Sequence, residues 1–175
     1  MYTLEKFTKA VPVDQYMKDY LDIEGFEAFC KECPNYGKLW SCPPYDFNVE
    51  NFWKQHETLQ ILGYKINFEE GTSGREAMDI MKDVKDKISL ELFEMEEKTP
   101  GSVSLCAGSC SWCEKENCTR LCGEKCRHEE KMRYSLESLG ANVGKTVSEA
   151  LGIKLQWVEE GKVPDYFVLV GGLLE

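Results

Sequence analysis

The feature that most constrains this chain is the placement of its cysteines. There are nine of them against two histidines. They fall into two islands, Cys30, Cys33 and Cys42 in the first and Cys106, Cys110, Cys113, Cys118, Cys122 and Cys126 in the second. Nine is odd, so complete disulfide pairing is impossible. The N-terminus, MYTLEKFTKA, has no basic stretch followed by an apolar core, so no signal peptide is expected and a cytoplasmic location is. A reducing compartment disfavours a disulfide framework, and clustered thiols there point to metal.

The second island reads CAGSCSWCEKENCTRLCGEKC, six thiols in 21 residues. Thiols this dense oxidise readily when left unligated. With almost no histidine available, the ligand set is all sulfur, which selects an iron–sulfur cluster or zinc. A [4Fe–4S] cluster is held by four cysteines, and the Cys110-x2-Cys113 start turns two adjacent sulfurs toward one centre. Cys42-Pro43 resembles the Cys-Pro that ends ferredoxin runs. Zinc is the alternative: Cys110-x2-Cys113-x4-Cys118-x3-Cys122 suits a tight tetrahedral site that stabilises a fold and does no redox work. The expected main site is Cys110, Cys113, Cys118 and Cys126. Cys118, Cys122 and Cys126 are four apart, so a helix through them would make Cys122 a rival ligand. Cys106-x3-Cys110-x2-Cys113 fits the short motif of radical S-adenosylmethionine enzymes, but only 62 residues follow Cys113, too few for their barrel.

The first island, Cys30-x2-Cys33-x8-Cys42, offers three thiols. Cys106 or Cys122 completes it, or a position stays open for substrate, as in catalytic metal sites. A thioredoxin-like reading of Cys30-Lys-Glu-Cys33 fails because a helix, not a strand, leads into it and Pro34 follows.

Between and around the islands the pattern is α/β. Strands are expected at Tyr2 to Phe7, 59–68, 102–106, 154–158 and 165–171, the last two joined by a turn at Glu160-Gly161-Lys162. Val13, Tyr16, Met17, Tyr20 and Leu21 have helical spacing and lead toward the first island. Asn48 caps a short helix carrying Phe52 and Trp53. Ser73 and Glu76 form a capping box for a long amphipathic helix over 74–97, whose apolar residues recur every three or four positions up to Met95. Strand, helix, strand in that order predicts a crossover with parallel pairing, hence a mixed sheet. Met132 to Leu139 and Val143 to Leu151 read as short helices. The expectation is one domain over 1–175, an α/β sandwich with both islands on loops at one end of the sheet.

With these motifs in view, the chain resembles the bacterial and archaeal family known as predicted metal-binding proteins, domain of unknown function 2284. The resemblance rests on Cys30-x2-Cys33-x2-Tyr36-Gly37-x2-Trp40-x-Cys42-Pro43-Pro44, on Ala107-Gly108-x-Cys110-x2-Cys113, and on Cys126-Arg127 followed by Arg133-x-Ser135-x-Glu137-x-x-Gly140. It implies metal binding and supplies no reaction. Where it implies a proline two residues after Arg127, this chain has Glu129. Cys106 and Cys122 fall outside the signature.

Arg127 and Arg133 follow the last cysteine. Guanidinium groups there would raise the potential of an anionic cluster or bind an anionic ligand; the plain reading is a solvated face paired with Glu129, Glu130 and Glu137. Tyr36, Trp40 and Tyr45 pack about the first island. His128 is a minor ligand candidate. Gly171-Gly172 reads as a strand end, since no helix follows to bind phosphate. A net charge of −10 argues against nucleic acid, and no apolar run reaches the ~18 residues of a membrane span. The expected function is a redox accessory or electron-transfer protein with one or two [4Fe–4S] clusters, acting on a redox protein partner or a small molecule. Whether it is an enzyme stays open.

Overall fold

The fold is that of a computed structural model, which describes residues 1–113, 117–156 and 163–175. Its elements, in order, are β1 (Tyr2–Pro12), α1 (Val13–Tyr20), α2 (Ile23–Glu32), α3 (Val49–Trp53), β2 (Thr58–Phe68), α4 (Gly74–Lys98), β3 (Val103–Leu105), α5 (Val143–Lys145, continued by a π-turn over Thr146–Ala150) and β4 (Tyr166–Leu174). The strands make one sheet in the order β1-β2-β4-β3. Every neighbouring pair is antiparallel. The α/β class is as expected, but the sheet is not mixed. β2 and β3, joined by α4, do run in the same direction, because each is antiparallel to β4. They do not pair, because β4 lies between them.

Alternation along β2 divides the core. Leu62, Tyr64 and Ile66 face α4, where they meet Val84, Ile88 and Leu92. Leu59 and Ile61 face the other way, onto Val13 and Tyr16 of α1, Trp53 of α3 and Leu136, Leu139 and Val147. The sheet is thus covered on both faces. α4 begins as expected: the Ser73 hydroxyl accepts from the Glu76 amide at 3.2 Å, and the Glu76 carboxylate accepts from the Ser73 amide at 2.9 Å. Asn48 caps α3 by accepting from the Asn51 amide at 2.8 Å.

Gly171 lies inside β4, not at a strand end, and its missing side chain matters. A Cβ there would lie 2.7 Å from the Leu105 carbonyl oxygen and 2.8 Å from Leu92 Cδ1, so only glycine lets α4 and the sheet close.

Two further expectations fail. Residues 154–156 are not a strand; 157–158 and the turn at 160–162 lie outside the described residues. β3 pairs only with Gly172–Leu174, so β4 keeps an open edge over 166–171 that the described part of this segment does not use. The Gln156 side chain instead binds Asp165, accepting from its amide at 2.8 Å. Met132 to Leu139 is not a helix: it holds only a 3₁₀ turn at Glu137–Leu139. Its N-terminal part meets the chain just past β3, with the Cys106 amide donating to the Tyr134 carbonyl at 2.8 Å. The helix expected from Val13 to Leu21 is α1, and a second helix follows it into the first island. α1 stops at Leu21, Asp22 caps α2 by accepting from the Gly25 amide at 3.0 Å, and it is α2 that carries Cys30.

Candidate metal centre

α2 delivers the first island. Cys30 sits in its last turn, and the Cys33 amide donates back to the Cys30 carbonyl at 2.9 Å. Gly37, at φ 68°, turns the chain so that its amide donates to the Pro43 carbonyl at 2.8 Å. That bond closes the loop and brings Cys42 back beside the other two. Cys33 is exposed, Cys30 half-buried and Cys42 buried. Burial raises the Cys30 thiol above its ordinary range, and the neighbouring Cys33 and Glu137 add to the rise. Burial likewise raises Cys42, opposed by a contact from Ser41 and reinforced by Cys33, Cys30 and Glu137. The three thiols and the Glu137 carboxyl therefore lie within one another's fields. Cys30 and Glu137 both border a cavity of about 170 Å³ whose opposite wall is Pro43, Pro44 and Tyr45.

The second island leaves the sheet from edge strand β3. Cys106 extends that strand by a bridge to Ser135. Its thiol donates to the carbonyls of Gly108 (3.0 Å) and Arg133 (3.3 Å), and burial pushes it up to about 12. Cys110, Cys113, Cys118 and Cys126 then border a single small cavity of about 20 Å³, walled by Trp40, Trp112, His128 and Met132. Two of these sulfurs already accept backbone amides two residues downstream, Cys110 from Trp112 and Cys126 from His128, the latter at 3.4 Å. Amide bonds of this kind favour the thiolate over the thiol. Burial nonetheless holds both thiols above their ordinary range, each raised further by its cysteine neighbours.

Cys122 stands apart. No helix runs from Cys118 to Cys126. A 3₁₀ turn over Thr119–Cys122 ends at Gly123, φ 71°, and leaves Cys122 exposed and outside the cavity lining. Among the described residues, no three or more His, Cys, Asp or Glu side chains are arranged to hold a metal ion. The four thiols border one space without having converged on a point within it.

The islands are bonded to each other. Arg120, between Cys118 and Cys122, donates to the carbonyls of Leu39 (2.7 Å), Cys42 and Pro44 (2.5 Å) in the first island. The Ser41 hydroxyl accepts from the Cys110 amide at 3.0 Å, and Trp40 Nε1 donates to Thr119 Oγ1 at 3.3 Å. The cations are distributed unlike the sequence expectation. Arg127 is exposed. Arg133 is paired not with Glu129, Glu130 or Glu137 but with Glu96 of α4, at 2.5 and 3.0 Å. Sequence reasoning missed Arg120, Ser41 and Glu96, and gave Glu137 a surface ion pair rather than a place beside the first-island thiols. Arg120 alone carried a signal, as the one arginine inside the cysteine run; its carbonyl partners have no sequence signature.

Tyr45 belongs to an aromatic cluster with Phe47 and Tyr134, ring centroids 4.8 and 5.0 Å away. Trp40 faces the four-thiol cavity. No described helix is long and apolar enough to cross a membrane.

Comparison with curated proteins and with solved structures returned no match. The family model described as "Predicted metal-binding protein (DUF2284)" matches residues 18–174, nearly the whole chain and both islands. This cysteine-rich chain belongs to that family of predicted metal-binding proteins.

Proposed function

We propose that this protein carries a [4Fe–4S] cluster on Cys110, Cys113, Cys118 and Cys126 and serves in electron transfer or as a redox accessory protein. The observation that supports this reading most is the common cavity of those four thiols, two of them already accepting amide hydrogen bonds. An all-sulfur set suits iron–sulfur chemistry, and a bound cluster supplies one-electron redox chemistry tuned by hydrogen bonds to its sulfurs. The chain's own part is to wall the site. Trp40, Trp112 and Met132 limit water, while Arg120 lies over the Trp40 ring at 5.4 Å and Lys131 over the Trp112 ring at 4.9 Å. Lys85 is the cation whose charge acts on the Cys110 thiol, opposing the rise from burial. Cys30, Cys33 and Cys42 would form a second centre, with Glu137 beside it; three thiols, of which Cys30 borders a 170 Å³ cavity, also suit an open position that binds substrate.

One observation favours zinc instead: a 20 Å³ cavity admits a single ion, whereas a cluster requires the thiols to move apart. Iron, sulfide and zinc analysis of anaerobically purified protein separates the two. Brown protein with equal iron and sulfide is expected; colourless protein with stoichiometric zinc overturns the cluster. Cys113→Ser should abolish metal at the main site, and Cys106→Ser should be much milder there. Full metal in Cys113→Ser with loss in Cys106→Ser would refute the ligand assignment.

A further inference from the structure

The four-thiol site leaves unexplained a cavity that shares part of its wall. It measures about 340 Å³, within the range of small-molecule sites, and lies between α4 and the second island. Cys110 and Trp112 belong to the walls of both cavities. A molecule in the larger one would therefore sit against the same cysteine that borders the thiol site.

Two properties of the lining define what fits. The first is an apolar wall built from two rings tilted 44° to each other. Phe93 and Trp112 face the space with ring centroids 6.0 Å apart, and Trp112 and Leu90 remain 41% and 60% exposed. Large apolar side chains left open at the mouth of a cavity have unburied surface that a ligand can cover. The second is charge. Lys85, Arg133 and Lys131 border the cavity against a single carboxylate, Asp86. Glu96 neutralises Arg133, and Lys85 Nζ donates to the Ser109 carbonyl, an uncharged group. Lys131 is exposed and lies over the Trp112 face. In a chain of net charge −10, this is a local excess of positive charge beside an aromatic ring.

We propose that this cavity binds a small organic anion with a flat apolar body, such as an aromatic carboxylate. Its ring packs against Trp112 and Phe93 and its carboxylate meets Lys131 and Lys85. The placement rests on the four-thiol reading only in that it sets this ligand against the wall of that centre; binding itself does not depend on which metal, if any, is held.

The test titrates the anaerobically purified protein with 2-naphthoate and with neutral 2-naphthylmethanol. It follows heat and the amide shifts of Ser109, Ser111 and Trp112, with metal content measured on the same samples. Saturable one-to-one binding is expected, with the naphthoate tighter. Lys131→Gln should weaken naphthoate about 5- to 10-fold and leave the alcohol unchanged. Ser89→Trp, on the half-buried cavity face of α4, should block both. Absence of saturable binding, equal affinity for both probes, or indifference to Ser89→Trp would overturn the proposal. Metal-free protein that binds naphthoate supports this site while refuting the metal centre. Metal-replete protein that does not bind it refutes this site alone.

Discussion

Arg120 shows how one side chain can decide the arrangement of a site. Its guanidinium fork meets three carbonyls of the first island, so it holds together two loops almost eighty residues apart in sequence. Carbonyls at a loop crossing have no strand or helix to satisfy them, and a planar multi-donor group is the residue type that can serve several at once. Lysine carries the same charge but cannot span the three acceptors. Arg120→Lys should therefore cost about 1–2 kcal/mol of stability by urea denaturation, the order of lost hydrogen bonds to a charged donor. Its amide spectrum should change in both islands, at 39–44 as well as near 120. Changes confined to residues around 120 would show that the crossing is held by something else.

At the scale of elements, the regular scaffold was legible and the loops were not, for a physical reason. α4 announces itself by a capping box and by Ala77, Val84, Ile88 and Leu92, one buried stripe at helical period. β2 is a run of apolar residues long enough to be buried on both faces, and α3 has its Asn48 cap. These signals are local. The expected strand residues 154–156 looked as good by composition, but the Gln156 side chain bonds Asp165 instead, a contact with no signature in the residue pattern. The segment 132–139 is drawn out of its helical pattern in the same way, by pairing with the chain just past β3 and by Arg133 reaching α4. The thiol grouping was partly legible. The x2 spacing brings Cys110 and Cys113 together, but only the 3₁₀ turn ending at Gly123 separates Cys122 from Cys126. The Glu96–Arg133 pair that joins α4 to this segment has a pH signature. Burial raises the Glu96 carboxyl, but bonds from Arg133 and from the Ser104 hydroxyl and amide outweigh it, so its pKa is held below the ordinary 4.5. A carboxylate depressed in the fold stabilises above its unfolded pKa and loses that contribution as pH falls through the folded value. Glu96→Gln should thus cost about 1–2 kcal/mol at pH 7, discounted for partial exposure. The gap from wild type should stay level down to about pH 5 and close below about pH 4.5. A gap that instead widened in acid would reverse the assigned sign.

Across the whole molecule, the two cores and the two islands are different kinds of structure. The α4-side core contains Leu62, Ile66, Val84, Ile88 and Leu92, and the opposite core Tyr16, Trp53, Leu59, Leu136 and Leu139; neither cluster contains a cysteine. The scaffold is held by apolar burial across a four-stranded sheet. The islands are held by turns, by side chains bonded to carbonyls and, in the reading proposed here, by metal. Structural metal contributes folding energy wherever its ligands would otherwise be loose. The two parts should then separate when metal is withdrawn. Anaerobic chelation under reducing conditions should leave slow amide exchange in β2, β4 and α4, while protection falls in 30–45 and 106–135. Exchange at those loops should approach that of the exposed chain, because few of their backbone groups sit in ladders. Loss of protection throughout β2 and α4 on chelation would show instead that the metal nucleates the entire domain. Unchanged protection in both islands would show that Arg120, Ser41 and the turn bonds hold the loops without it.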